Sequence, residues 1–348
     1  MNRIKLQEYD FYLPRELIAF YPASKREQSR LMVINRKTKE ISHRYFYEII
    51  DYLNPQDLIV RNVSRVVPAR IYGYRHNTGG KVELLLLEIF CDHSCELPAL
   101  VKCRGKLQPG EKILLPQNKY AFYLGKEGDV HKIKIEVSDL LTYLYKYGKV
   151  PLPPYIKREV VFEDQERYQT VYAQIPGSIA APTAGLHFSQ ELIEKLKTKG
   201  VEFADVVLHV SYATFKPISE KELVTGKLYR EYFEIPEKSA FKINEVKKRG
   251  GRIVAIGTTT VRVLESQAIR TSCGYRVIAS KGMTELFIYP GYKFKIVDAL
   301  ITNFHLPRTS LLLLVSAFCG REFLLSAYKQ AIEKRYRFFS YGDCMLIL

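Results

Sequence analysis

The chain has 348 residues, 47% of them hydrophobic, which is long enough for about two domains with packed cores. Its 20 glycines and 16 prolines are near average usage and exclude a fibrous or low-complexity chain. A net charge of +16, from 53 Lys+Arg against 37 Asp+Glu, favours a polyanionic partner such as nucleic acid. The excess is spread over the chain, which indicates a binding surface on a folded body; a basic metabolic enzyme is the alternative.

Apolar runs in the sequence are short. The longest, 84–87 and 311–315, are far below the roughly 20 residues of a membrane-spanning helix. The N-terminus has no apolar signal region, so we expect a cytoplasmic protein with no membrane contact.

The six cysteines are too few for a disulfide framework in a chain of this length. Cys91, His93, Cys95 and Cys103 lie near one another, but their spacing is not C-x-x-C and no second pair answers it. We therefore expect no metal site.

The first sixty residues read as mixed structure with one short helix, opened by Pro14 and Glu16. From Asp57 the pattern changes to short strands separated by turns. The predicted strands are 58–60, 66–67, 69–74, 82–90, 97–103, 112–115, 120–124 and 130–137. Such closely spaced strands are typical of a barrel or sandwich, so we predict an inserted all-β, barrel-like domain over residues 61–149.

The proline-rich segment 150–155 predicts a stiff linker that returns the chain to its main domain. Helical and strand-like stretches alternate after it. The predicted helices are 190–199, 238–249 and 321–334, and the predicted strands are 201–210, 252–256 and 343–348. This alternation predicts an α/β main domain, a mixed sheet with flanking helices, formed by residues 1–60 and 150–348.

Two loops combine residue types that suit ligand binding. The first, 176–188, is rich in Gly, Ala and Pro, lets a ligand approach the backbone and ends near His187; a tight structural connection is the alternative. The second, 257–262, follows a predicted buried strand and carries three threonines and Arg262, which suit a ribose, carboxylate or phosphate. A threonine-rich helix cap is the alternative there, and no Walker or G-x-G-x-x-G motif is present.

Histidines and basic residues supply further candidates. Asn303 and His305 lie on one face if the chain is extended there, and histidine suits proton transfer near neutral pH. His209 lies in an apolar β-rich run, which favours a structural role. Two basic clusters bracket the insert and suit phosphate contacts, although a solvated surface explains either alone. They comprise Arg61, Arg65, Arg70, Lys157 and Arg158.

Motifs along nearly the whole chain resemble the S-adenosylmethionine:tRNA ribosyltransferase-isomerase family of queuosine biosynthesis. They are Tyr9 to Pro14, Ser29 to Leu31, Pro68 to Arg70, Gly79 to Glu83, Pro151 to Lys157, Tyr168 to Tyr172, Ala181 to Phe188, Gly257 to Thr259, Val261 and Arg262, Phe287 to Tyr292, Ile301 to Pro307, and Phe338 to Asp343.

The resemblance implies that the ribosyl part of S-adenosylmethionine is transferred to preQ1, an aminomethyl-deazaguanine at the wobble position of tRNA. The product is epoxyqueuosine-tRNA, and adenine and methionine leave. S-adenosylmethionine is then a co-substrate, no cofactor is bound permanently, tRNA is the partner, and no obligate protein partner is expected. Acid/base candidates are His187, His305, Asp298 and Glu231. Substrate-binding candidates are Thr183, Gly185, Thr258, Thr259, Arg262 and Asn303.

Three segments depart from the family pattern: 62–65 lacks a carboxylate, 209–215 has bulkier residues in place of glycines, and 229–231 lacks a His-Ser pair. Two other interpretations stay open. A SAM-dependent RNA methyltransferase also suits a basic α/β body, although the glycine-rich Rossmann loop is missing. A non-catalytic RNA-binding protein is the other alternative, since the altered motifs are compatible with lost activity.

Overall fold

The computed structural model of the protein describes residues 4–89, 96–215, 217–272 and 274–348. Its strands are β1 (Arg30–Asn35), β2 (Glu40–Tyr45), β3 (Leu58–Asn62), β4 (Ser64–Val66), β5 (Arg70–Arg75), β6 (Lys81–Leu86), β7 (Leu97–Cys103), β8 (Lys112–Leu115), β9 (Lys119–Glu127), β10 (Val130–Ile135), β11 (Ile175–Ser178), β12 (Glu202–Leu208), β13 (Lys227–Ile235), β14 (Ile253–Ile256), β15 (Ala268–Thr271), β16 (Gly274–Val277), β17 (Ser280–Leu286), β18 (Ala299–Asn303) and β19 (Cys344–Ile347).

The α-helices are α1 (Leu140–Tyr147), α2 (Asp164–Arg167), α3 (Gln190–Thr198), α4 (Glu220–Thr225), α5 (Glu237–Lys248), α6 (Gly257–Ser266), α7 (Ser310–Cys319) and α8 (Arg321–Glu333). Short 3-10 helices occur at Leu6–Tyr9, Arg15–Leu17, Arg26–Gln28, Phe46–Tyr52, Pro116–Asn118, Thr183–His187 and Tyr212–Phe215.

A nine-stranded mixed sheet forms the larger body, in the order β17-β13-β12-β3-β14-β18-β19-β1-β2. The four adjacent strands β12, β3, β14 and β18 run parallel, and β19 is antiparallel to β18 but parallel to β1. Every residue of β14 is buried, as expected for a parallel strand covered on both faces. The core is therefore two layers, one on each side of this sheet.

Helices fill both layers. One layer packs α5 to α8 against the sheet through side chains such as Val261, Leu312 and Tyr328. The other packs α3 and the 3-10 helix Phe46–Tyr52 against the opposite face, through side chains such as Phe46 and Leu192. Successive strand residues point alternately into the two layers, so both layers pack on the same sheet. This packing holds the carboxyl ends of the strands in a fixed position.

The second body is a closed antiparallel barrel in the order β10-β7-β6-β5-β8-β9. Its interior is filled by aliphatic side chains such as Leu84 and Ile113, with Leu144 of α1 among them. Gly73 of β5 has no room for a side chain, because an added Cβ would lie 2.5 Å from the Leu114 carbonyl oxygen of β8. The predicted fold class, a mixed sheet with flanking helices and an inserted all-β barrel, is confirmed.

The domain limits remain a prediction. The strand pairing is relevant to the residue at which the insert begins. Arg61 still belongs to β3 of the large sheet, and β4 pairs with β11 of the main body. The first barrel strand begins at Arg70, whereas the predicted insert begins at residue 61.

Most predicted elements agree with the structure to within a few residues; the strands 97–103 and 112–115 coincide with β7 and β8. The predicted strand 82–90 ends at Leu86, and residue 90 lies outside the described residues. The helix predicted near Pro14 is only a 3-10 turn, Arg15–Leu17. No element was predicted for the strands β1, β2, β11, β13, β15, β16, β17 and β18 or for the helices α1, α2, α4, α6 and α7.

The helix α7 lacked a periodic signal because it is buried nearly all round, so apolar residues follow one another without interruption. Among the described residues, no single helix is long and apolar enough to cross a membrane. The pair α7 and α8 passes that test together by length and composition, with a bend of 112° between them.

Candidate active site

A cleft opens at the carboxyl ends of β14 and β18. These strands are parallel neighbours, so the residues that follow them emerge at one edge of the sheet, where open α/β sheets bind ligands. Four segments supply most of the lining: the loop 180–184, the start of α6, the end of β18 with the residues after it, and 339–340.

The start of α6 places two threonines at the cleft. Gly257 adopts φ +86°, a left-handed conformation that glycine allows, and it turns the chain from β14 directly into the helix. Thr258 and Thr259 line the cleft in the first helical turn, where backbone N–H groups are unpaired and the helix dipole is positive. The Thr259 hydroxyl is buried without a hydrogen-bond partner among the described residues, whereas Thr260 donates to the Ile256 carbonyl at 2.7 Å.

Asn303, the last residue of β18, is buried and held in one orientation. Its Nδ2 donates to the Phe339 carbonyl at 3.0 Å and faces His187 Nε2 at 3.2 Å. Because both amide hydrogens are used, Oδ1 is left as the free acceptor, and it has no partner among the described residues. Asn303 also lines the cleft, so its side-chain carbonyl oxygen is available to a ligand there.

His305 also lines the cleft. Its backbone N–H donates to the Tyr328 hydroxyl at 2.8 Å, and its Nε2 lies 3.4 Å from Thr302 Oγ1. Nδ1 is buried and has no partner among the described residues. Burial lowers the pKa of His305 to about 3, so the ring is neutral at neutral pH.

His187 lies behind Asn303, outside the lining of the cleft. Its Nδ1 is 2.7 Å from Ser29 Oγ, and its ring packs on Phe46 at 5.1 Å. Burial, followed by the charges of Arg337 and Arg26, lowers the pKa of His187 to about 3. Both ring nitrogens have a polar neighbour, and the ring contacts Asn303 rather than the cleft. The acid/base role of His187 stays a prediction, and this position instead suits orienting Asn303.

Two glycines of the small-residue loop serve packing. An added Cβ on Gly185 would lie 2.1 Å from the Tyr172 hydroxyl, and one on Gly177 would lie 2.4 Å from the His209 ring. Thr183 lines the cleft, whereas Gly185 does not, so the substrate-binding role predicted for Gly185 does not fit its position. His209 contacts Ser64 Oγ at 2.7 Å.

Glu231 and Arg262 form a buried ion pair away from the cleft lining. Arg262 Nε also donates to the Leu286 carbonyl at 3.0 Å, and Glu231 Oε1 accepts the Ser211 N–H at 2.8 Å. Neither the acid/base role predicted for Glu231 nor the substrate contact predicted for Arg262 fits this arrangement. The pair instead holds the segment that carries Thr214, which does line the cleft.

Asp298 lies at the opposite end of the sheet. It precedes β18, five residues and so roughly 16 Å of extended chain before Asn303. Its carboxylate accepts the Ile253 N–H at 2.8 Å and contacts Lys247 Nζ at 3.1 Å. The predicted catalytic role for Asp298 is therefore not supported by its position, since the side chain ties β18 to β14 and α5.

Tyr155 and Ser340 line the cleft and were not predicted as site residues. Their hydroxyls are hydrogen-bonded, and the Ser340 N–H donates to the Tyr155 oxygen at 3.1 Å. Burial raises the pKa of Tyr155 to about 12, so it stays protonated. Both belong to motifs visible in the sequence, but these are 185 residues apart and nothing in their local pattern indicates that they meet.

The predicted tRNA-binding residues divide into two groups. Arg61, Arg70 and Arg158 are engaged with Asp205, Glu83 and Asp164, at 2.7, 3.2 and 2.6 Å. Arg65 and Lys157 are exposed and have no carboxylate within 4.0 Å among the described residues. Only these two are free to contact phosphates without breaking an ion pair.

The described residues contain no group of three or more His, Cys, Asp or Glu side chains arranged to hold a metal. Cys91, His93 and Cys95 lie outside the described residues, and Cys103 is half-buried with a free thiol.

The fold and cleft define an α/β protein with a cleft at one edge of its sheet and an attached β-barrel. A family model described as "Queuosine biosynthesis protein" matches residues 6–347. The chain is 50% identical to S-adenosylmethionine:tRNA ribosyltransferase-isomerase of Thermotoga maritima over 346 residues, covering 99% of this chain and 100% of the relative. The Aquifex aeolicus protein of the same name is 48% identical over 346 residues, with the same coverage.

A crystal structure of S-adenosylmethionine tRNA ribosyltransferase from Thermotoga maritima is similar too, with 41% identity and a TM-score of 0.56. The match covers 98% of this chain and 100% of that one. The chain therefore belongs to the queuosine biosynthesis family of S-adenosylmethionine:tRNA ribosyltransferase-isomerases, and the resemblance stated from its motifs is confirmed.

Proposed function

We propose that this protein transfers and isomerises the ribosyl group of S-adenosylmethionine onto the preQ1 wobble base of tRNA, giving epoxyqueuosine-tRNA. The observation that carries the proposal is a set of three buried polar atoms without partners, all on residues that line one cleft. They are Thr259 Oγ1, Asn303 Oδ1 and His305 Nδ1. Buried polar atoms of this kind cost free energy unless a ligand pairs with them.

The cleft suits a nucleoside in its chemistry. Alanines of the loop 180–184 offer a flat apolar wall, and the polar atoms of Thr259 and Asn303 offer partners for ribose hydroxyls. S-adenosylmethionine would enter as a co-substrate, with no permanently bound cofactor.

We assign the proton transfers to His305. The reaction requires proton removal from the carbon next to the sulfonium, activation of the preQ1 amine and protonation of the departing adenine. A neutral imidazole can accept the first proton through a ring nitrogen and pass it on to the departing adenine. Burial lowers the pKa of His305 to about 3, which makes the ring a weak base that does not keep the proton. Asn303, oriented by His187, would hold the ribosyl group during the transfer.

The partner in this proposal is tRNA, and the protein acts in the cytoplasm as a single chain. A net charge of +16 supports attraction of an RNA polyanion. Arg65 and Lys157 are the predicted basic residues that remain free for phosphate contacts, and Arg65 lies beside the ring of Tyr145 at 5.9 Å.

The test is incubation of the protein with S-adenosylmethionine and tRNA that carries preQ1, with tRNA lacking preQ1 as the control. We expect adenine and methionine in equal amounts, only with the modified tRNA, detected by liquid chromatography and mass spectrometry. S-adenosylhomocysteine as the product would indicate a methyltransferase, and tight tRNA binding without consumption of S-adenosylmethionine would indicate a non-catalytic binding protein.

A further inference from the structure

A second, small pocket lies beside the cleft and shares Ser340 with it. His187, Arg26 and Arg167 are among the residues that line this pocket. Arg337 stands next to them, because it donates to the carbonyl of Tyr341, another lining residue, at 3.0 Å. We call Arg26, Arg167 and Arg337 the arginine cluster.

The arginine cluster is held in place by backbone carbonyls alone. Arg26 donates to the Leu186 and Glu166 carbonyls at 3.1 and 2.9 Å. Arg167 donates to the Ser24 and Ala23 carbonyls at 3.2 and 2.6 Å, and its Nε is buried with no partner among the described residues. These bonds fix the guanidinium groups without neutralising them.

No carboxylate among the described residues lies within 4.0 Å of the cluster, in contrast to the ion-paired Arg61, Arg70 and Arg158. The charge of Glu166 acts to raise the pKa of Arg26, although the two side chains form no ion pair. Asp343 is near Arg337, but its oxygens accept the backbone N–H groups of Arg30 and Arg337 at 2.9 and 2.7 Å. Three half-buried cations therefore share one region, and none of them forms a direct ion pair with a carboxylate among the described residues.

The positive charge of the arginine cluster contributes to lowering the pKa of nearby groups. Burial, and next to it the charge of Arg167, lowers the pKa of Arg26 from its ordinary value. Arg337 and Arg26 add to the lowering of the pKa of His187. Half-buried like charges without a direct ion pair raise the free energy of the folded state, and a bound anion would offset that cost.

We propose that the arginine cluster binds a backbone phosphate of the RNA substrate next to the nucleotide in the cleft. The inference rests on the proposed function. A guanidinium fork matches the paired oxygens of a phosphate, and the shared Ser340 makes the two sites neighbours. The carboxylate of S-adenosylmethionine is the other candidate oxyanion, but that molecule also carries a sulfonium and an ammonium group, so its net positive charge is repelled by three arginines.

The test uses the full-length protein and a preQ1-containing tRNA anticodon stem-loop, with the Kd measured by fluorescence anisotropy over a range of KCl concentrations and without S-adenosylmethionine. We expect Arg26→Gln and Arg167→Gln each to reduce the slope of log Kd against log salt by about 1. The same loss raises the Kd about four- to fivefold near 0.15 M salt. The KM for S-adenosylmethionine should stay unchanged.

Two controls separate charge from structure. Arg249→Gln removes the same charge from the ion pair with Glu202, at the amino edge of the sheet, and should leave the slope as in the wild type. Arg26→Lys and Arg167→Lys keep the charge but not the guanidinium fork, and should keep the slope. Thermal unfolding of each variant identifies any that fail to fold.

An unchanged slope in folded Arg26→Gln and Arg167→Gln would overturn the inference. So would a raised KM for S-adenosylmethionine with an unchanged RNA slope, or a slope lost equally in the lysine variants. Adenine release by the wild type tests the proposed function separately, because the binding slope is read without turnover.

Discussion

At the scale of single residues, a relay of hydrogen bonds determines which polar atom faces the cleft. Ser29 fixes His187, His187 accepts from Asn303, and Asn303 is left with a free carbonyl oxygen. The histidine next to the conspicuous small-residue loop is thus placed to act through another side chain. The residues placed to touch a ligand are Asn303, His305 and Thr259.

We expect Thr259→Val to raise the KM for S-adenosylmethionine about tenfold, because the change removes the unpaired hydroxyl and keeps the side-chain shape, at a cost of about 1.4 kcal/mol. Thr260→Val is the matched control. It lies in the same helix but bonds the Ile256 carbonyl and faces away from the cleft, so its KM should stay at the wild-type value. Steady-state kinetics of adenine release measures both, and equal effects in the two variants would contradict the assignment.

We expect the protein to become less stable as the pH is lowered, in part because of His187. Its pKa is about 3 in the fold against 6.5 ordinarily. Below pH 6.5 the unfolded chain takes up a proton that the folded chain refuses, so the free energy of unfolding falls by about 2 kcal/mol per such histidine from pH 7 to pH 5. Thermal unfolding at several pH values should show a shallower decline for His187→Gln. A decline as steep as in the wild type would count against the buried neutral ring.

At the scale of elements, the ion pair of Glu231 and Arg262 joins β13 to α6 and supports the segment beside the cleft. Both side chains are almost fully buried, at 1% and 4% exposed. Removing one partner leaves the other charge buried and unpaired, which is more costly than removing both.

We expect Glu231→Gln to lower the unfolding temperature by roughly 5 °C, from a loss of about 3 kcal/mol. The double variant Glu231→Gln with Arg262→Met should lose less than the sum of the two single changes. Differential scanning calorimetry provides the comparison. A Glu231→Gln protein of wild-type stability that releases no adenine would instead restore a catalytic role for Glu231.

The strand-to-helix turn at Gly257 gives a second expectation at this scale. Gly257→Ala and Gly250→Ala both force a side chain onto positive φ, at +86° and +76°, and each should cost about 1 kcal/mol. Only Gly257 adjoins the cleft, where the new Cβ would lie 3.4 Å from Thr259 Oγ1. We expect similar losses of stability, with kcat/KM for S-adenosylmethionine reduced in Gly257→Ala alone; reduced activity in both would contradict this.

At the scale of the whole molecule, local patterns predicted the architecture well. Short strands with turns between them predicted the barrel. A buried strand followed by three threonines and Arg262 pointed to the edge of the sheet where the cleft opens; ligand binding there stays a prediction. These features depend on residues that are close together in the sequence, so a periodic sequence pattern can reveal them.

The predicted roles that do not fit the positions of their residues concern contacts between distant parts of the chain. Asp298 belongs to the same motif as Asn303, yet the length of β18 separates the two side chains along the sheet. Glu231 finds its partner 31 residues away, and Tyr155 meets Ser340 across 185 residues. The spacing of residues within one segment carries no information about such long-range pairs, so only half of the candidate site was predictable from the sequence.

The central claim is that S-adenosylmethionine binds in the cleft between the 180–184 loop, the start of α6 and the end of β18. A crystal structure of the protein with bound S-adenosylmethionine tests it most directly. We expect the ribosyl group within hydrogen-bonding distance of Thr259 Oγ1, Asn303 Oδ1 and His305 Nδ1. A ligand bound elsewhere, with these three atoms still unpaired, would contradict the account.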